Sequence, residues 1–160
     1  MSSIEPQTTS PVLSTTRIHP PVLAAALLLG TLALHFVLPE ARAVGWYQLI
    51  GLLLVAAGVG LSSFAAALFQ ARNTTKNPYG EPAAFVAQPP YTRTRNPMYL
   101  GITTTLLGMA VFFSSIAMLI APAVFYAVID RMVIPREEET MERLFGQDYI
   151  EYQNRVRRWL

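Results

Sequence analysis

The 160-residue chain contains no cysteine. That absence excludes disulfides, thiolate catalysis and cysteine-ligated metals. Charge is scarce as well: Asp, Glu, Lys and Arg make up 14% of the residues, against about a quarter in ordinary soluble domains. None of them falls between Ile18 and Pro39, between Ala43 and Ala71, or between Met98 and Ile129. Each gap supplies the roughly 20 apolar residues that a bilayer crossing needs, so the chain reads as a polytopic membrane protein. The net charge of +2 is too small to argue for nucleic-acid binding. Within the apolar runs the ionisable candidates besides tyrosines are His35 and Asp130, both near predicted helix ends. No membrane-embedded carboxylate therefore faces a pathway, as a proton-coupled transporter needs. No His, Asp and Glu spacing argues for a metal, and His35 reads as a packed or interfacial histidine.

What is present divides the chain into a tail and one domain. Residues 1–20, with Pro6, Pro11, Pro20 and many Ser and Thr, read as a disordered tail. Residues 21–160 form the domain. A first span covers about 21–38 and is ended by Pro39. Ala41-Arg42-Ala43 resembles a signal-peptidase site, yet the apolar run is longer than a usual signal core and only Arg17 precedes it. Retention as a span is expected. A second span covers about 46–70, and its Gly51, Gly58 and Gly60 are expected to admit a neighbouring helix closely. The connector, 71–98, holds Pro78, Pro82, Pro89 and Pro90 and is too proline-rich for a continuous helix. Connectors of this length are usually functional.

The apolar run from Tyr99 to Ile134 is too long for one crossing. Ser114-Ser115 is the predicted turn of a hairpin with spans at about 99–113 and 116–134, the second kinked at Pro122. Met141, Leu144, Phe145, Tyr149, Tyr152, Val156 and Trp159 recur at helical steps through the tail, 135–160. Gly146 is the expected break, with Asp148 near the start of a second short helix. Trp159 and the arginines beside it suit a headgroup interface. The fold class that follows is an all-α integral membrane protein of about four transmembrane helices, the last two a hairpin, with an amphipathic helical C-terminal tail. Arg72, Lys76, Arg93 and Arg95 lie in the connector, and Arg131, Arg136, Arg143, Arg155, Arg157 and Arg158 lie towards the C-terminus. The first loop has only Arg42. Both termini and the connector are accordingly predicted to be cytoplasmic.

Two polar clusters flank the hairpin and should return to one side of the membrane. Tyr91, Arg93, Arg95, Asn96 and Tyr99 precede it, with Pro97 suited to a first helical turn. Glu137, Glu138 and Glu139 follow it. Each cluster alone is compatible with anchoring at an interface or a solvated helix start. Asn96 could cap the helix that starts at Pro97, contact a ligand, or both.

In order, the chain reads Phe85-Val86-Ala87-Gln88-Pro89-Pro90-Tyr91, then Arg95-Asn96-Pro97-Met98-Tyr99-Leu100-Gly101, and after the hairpin Glu137-Glu138, Phe145-Gly146, Tyr149, Tyr152 and Arg158-Trp159. From about Thr74 to Leu160 this resembles the isoprenylcysteine carboxyl methyltransferase and phospholipid methyltransferase superfamily. The resemblance implies a membrane methyltransferase that uses S-adenosylmethionine and acts on a lipid or lipid-linked acceptor among membrane lipids, from a cytoplasmic site. By position it implies cofactor contacts at Ala83, Ala84, Phe85, Val86, Tyr91, Asn96, Pro97, Met98, Tyr99 and Glu137. Carboxyl methyltransferases of this kind carry an arginine where this chain has Val133, so Arg131 or Arg136 is the substitute expected to position the substrate. The other reading is a non-catalytic membrane protein that binds lipid or a partner helix on the same scaffold.

Overall fold

A computed structural model describes residues 18–38, 45–73 and 88–160, and these are helical with no strand among them. The first helix, α1, spans Pro20–Val37. Two prolines suit its first turn, where the missing N–H groups would be unpaired in any case. Leu38 precedes Pro39 and is extended, as a residue before proline prefers, and this stops the helix. Helix α2 spans Tyr47–Asn73 and α3 spans Pro97–Phe112. Most of the N-terminal tail (residues 1–17), the Ala41-Arg42-Ala43 tripeptide and most of the connector lie outside the described residues.

Ser114-Ser115 makes the turn predicted for it. Ser114 has a positive φ of 52°. Its N–H bonds to Val111 O and that of Ser115 to Ala110 O, each at 3.0 Å. This paired pattern satisfies the last carbonyls of α3. Ser115 Oγ then accepts the N–H of Met118 and starts a 3-10 turn, Ala117–Leu119, that leads into α4, Ile120–Val128. One π turn, Ile129–Val133, continues directly into α5, Ile134–Phe145. The irregularity expected at Pro122 is found here instead. Pro122 lies in the first turn of α4, where it removes no helical hydrogen bond. Pro135 has no N–H to give Arg131 O, and the wider π turn ahead of it accommodates that loss. Gly146, at φ 54°, breaks the helix as predicted, and α6 runs over Gln147–Arg155.

Three stretches, Pro20–Val37, Tyr47–Ala71 and Ala117–Phe145, are long and apolar enough to cross a membrane. In the last of them the apolar part ends at Ile134, before the charged α5. The 16 residues of α3 rise only about 24 Å, short of the roughly 30 Å hydrocarbon layer. That helix is sheathed by α2 along a glycine seam. A Cβ at Gly58 would lie 2.5 Å from Gly101 O, one at Gly51 2.5 Å from Phe112 N, and one at Gly108 2.7 Å from Val55 N. Gly51 and Gly58 behave as the sequence predicts; Gly60 does not, since it faces open space. Helix α1 covers α3 and α4 through Leu23, Ala24, Leu27 and Leu28, which pack on Leu106, Phe125, Ile129 and Val133. His35 is buried, 5.5 Å from the Phe113 ring.

These contacts fix the direction of each helix. The start of α2 meets the end of α3 where Gln48 Nε2 donates to Phe112 O. At the opposite end Ala65 O of α2 accepts from Tyr91, just ahead of α3. The start of α3, the end of α4 and all of α5 and α6 thus collect at one pole with the end of α2.

Candidate functional site

At this pole the two polar clusters meet. Tyr99, in the first turn of α3, donates its O–H to Glu137 Oε1 of α5 at 2.6 Å, across 38 residues of chain. The side chain of Glu137 is open to solvent. Enough protein nonetheless surrounds the carboxyl to hold its pKa above the ordinary 4.5; the Tyr99 bond opposes that rise and the neighbouring Glu138 charge adds to it. Tyr91 is buried and faces the same carboxylate, and burial together with the Glu137 charge pushes its pKa up to about 12. The phenol is neutral at physiological pH and donates to Ala65 O at 3.2 Å. Tyr152, buried and also raised by desolvation, donates to Tyr91 O at 2.7 Å.

Beside this lies an ion network. Glu138 points inward, buried, with Oε1 2.9 Å from Arg95 and Oε2 2.6 Å from Arg158. Arg95 also donates to the carbonyls of Gln153 and Val156 at 2.9 and 3.2 Å. Arg158 reaches Asp130 Oδ1 at 3.4 Å, and the Trp159 indole N–H donates to the same oxygen at 2.9 Å. The Trp159 ring is half-buried and stacks on Tyr126 at 4.6 Å, so it packs on protein where an interfacial anchor was expected. The amphipathic stripe of the tail closes a core of its own: Tyr149, Tyr152 and Val156 with Met141 and Phe145.

The structure thus brings together Tyr91, Tyr99 and Glu137. Pro97 is fully buried and Met98 packs on Ala65 and Tyr91, both beneath the site. Asn96 occupies the cap position of α3 but makes no side-chain cap bond. Its Nδ2 donates instead to Arg158 O at 3.0 Å, because the C-terminal strap crosses the start of α3 within its reach. Arg131 and Arg136 are exposed and join none of the ion pairs found among the described residues. Ala83, Ala84, Phe85 and Val86 lie outside the described residues. Sequence reasoning missed the pairing of Asp130 with the tail. The signal was available: an acid at the end of an apolar run calls for a named partner, and Arg158-Trp159 offered two donors.

Aromatic faces and one solvated carboxylate suit a cationic ligand, whereas the cations of this pole near Glu138 are already neutralised. The chain belongs to the phospholipid methyltransferase family, which it matches over residues 46–148, more than half its length. It is 35% identical over 63 residues to an uncharacterised protein of Haemophilus influenzae; that stretch is 39% of this chain and the whole of that protein. No solved structure matches it.

Proposed function

We propose that this protein transfers a methyl group from S-adenosylmethionine to a lipid or lipid-linked acceptor at the pole where Tyr91, Tyr99 and Glu137 meet. The observation that carries the reading is the 2.6 Å bond between Tyr99 and Glu137, which joins the two separated halves of the motif. The donor set fits the cofactor's charge pattern: a carboxylate for its ammonium group, and phenol rings for a sulfonium. When bound, the cofactor supplies an electrophilic methyl group. The chain's part is then alignment and exclusion of water, and alignment alone can contribute roughly 7–11 kcal/mol. Tyr91 and Tyr152, neutral and hydrogen-bonded in a chain to α2, hold the floor of the site. Arg136, exposed beside Glu137, and Arg131, exposed on the π turn, are the residues assigned by this reading to an anionic headgroup.

Four spans with both termini cytoplasmic complete this reading, with α3 as the short fourth helix and the acceptor arriving sideways from the bilayer. Calorimetric titration of the detergent-solubilised protein with S-adenosylmethionine and with its demethylated product is the test. Saturable binding of both, and transfer of radiolabelled methyl into a lipid extract, are expected. Absence of binding overturns the proposal in favour of a scaffold that holds lipid or a partner helix without chemistry.

A further inference from the structure

The bond between Tyr99 and Glu137 depends on how α5 is rotated, and α4 alone does not dictate that rotation. Between the two helices lies the π turn, and Pro135 stands in the first turn of α5, so the regular ladder is interrupted there. A single residue of altered winding would turn α5 by about 100°. That is enough to carry Glu138 to the place of Glu137. Arg158 spans this joint. Its guanidinium reaches Asp130, inside the π turn, at 3.4 Å and Glu138, beyond Pro135, at 2.6 Å. Its backbone carbonyl meanwhile accepts from Thr94 Oγ1 at 3.1 Å and from Asn96 Nδ2 at 3.0 Å, immediately before the turn that bears Tyr99. Among the described residues Arg158 is therefore bonded to both halves of the site, and its hydrogen bonds and ion pairs go to neighbours of Tyr99 and Glu137.

We propose that Arg158 is a positioning residue, a brace across the π turn that sets the rotation of α5 and so presents Glu137 to Tyr99. Its relevance to cofactor binding rests on the methyl-transfer reading; the geometry does not. The Arg158 side chain is one-third exposed, and pairs of that kind add little to stability. After its removal Arg95 still neutralises Glu138 at 2.9 Å. The Arg158→Gln chain is expected to fold, with its register loosened.

The absence of native cysteine makes a direct test clean. In the full chain carrying Tyr99→Cys and Glu137→Cys, the two thiols are bridged with a short bis-maleimide, with Arg158 present or replaced by Gln. A severalfold lower yield in the Arg158→Gln background at similar melting temperature is expected, and Asp130→Asn, which removes the other anchor, should lower it too. An unchanged yield in both backgrounds overturns the brace. The second arm is titration with the demethylated cofactor in native-cysteine-free protein. Arg158→Gln should weaken binding about tenfold, within the range seen for residues of one network, and should add nothing further to Glu137→Gln. Equal losses in both backgrounds mean that Arg158 acts other than through Glu137, and they overturn the proposal. A wild type that binds no cofactor while the cross-linking falls as expected leaves the brace standing and sinks the methyl-transfer reading.

Discussion

Glu138 has two guanidinium partners and little contact with water; Glu137, one residue earlier, has a phenol and open solvent. The same side chain should therefore behave oppositely at the two positions. Removing Glu138 leaves the Arg95 guanidinium buried without its counter-charge, so Glu138→Ala should cost about 3–5 kcal/mol in denaturant unfolding. At Glu137 the folded pKa lies above 4.5. The native state then holds that proton more tightly than the unfolded chain. The associated stability is present below pH 4.5 and is lost as pH rises through the folded pKa. At neutral pH the ionised carboxylate is a small liability to the fold, so Glu137→Gln should melt at or slightly above the wild-type temperature. Cofactor affinity should move the other way. It should fall on acidification through a window above pH 4.5 in the wild type, and become flat with pH and severalfold weaker in Glu137→Gln. A variant that keeps both its affinity and its pH dependence would remove Glu137 from the site. The sequence order made Tyr91, Tyr99 and Glu137 legible, because the motif that carries them is continuous on each side of the hairpin. Of the roles open to Asn96, the cap is not found, since local pattern does not show that a strap 62 residues away competes for its amide.

Helix limits were legible where proline, glycine or serine sets them: Pro97, Ser114 and Gly146 each stand where a helix starts or stops, while Pro20, read with the tail, opens α1. The π turn was not, because it follows from how Pro135 and the Asp130 contacts are reconciled in three dimensions. Nor does spacing distinguish Gly58 from Gly60, two residues apart on one helix and facing opposite ways. Their substitution should separate them. Gly58→Ala drives a methyl into Gly101 O and Thr105, and overpacking of this kind typically costs about 1–3 kcal/mol. Gly60→Ala meets nothing within 4 Å and should stabilise the helix by about 0.5–1 kcal/mol. Thermal unfolding in detergent measures both, and equal effects would mean that the seam between α2 and α3 does not hold α3 in place.

On the scale of the whole molecule, the direction of the chain and the distribution of charge point to one arrangement. A chain of bonds runs from Tyr152 of α6 to Tyr91 O at 2.7 Å and from Tyr91 to Ala65 O of α2 at 3.2 Å. The end of α2 and the C-terminal tail are thereby tied to one pole, whatever the orientation of the bundle. Under the proposed function charge sets the expected orientation: ten of the 12 Lys and Arg residues lie after Gln70, in the connector and towards the C-terminus, the bias that the positive-inside rule associates with cytoplasmic loops. Large apolar side chains such as Leu29, Leu53 and Ile116, all at least 60% exposed, have no place in water and suit the lipid between the poles. Topology reporters fused after Gln70 and after Leu160 should both read cytoplasmic. Signals on opposite sides would contradict the bonds that tie α2 to α6, and with them the joined site. Two signals from the far side would leave the fold intact and reverse only its orientation, which would put the site out of reach of a cytosolic methyl donor.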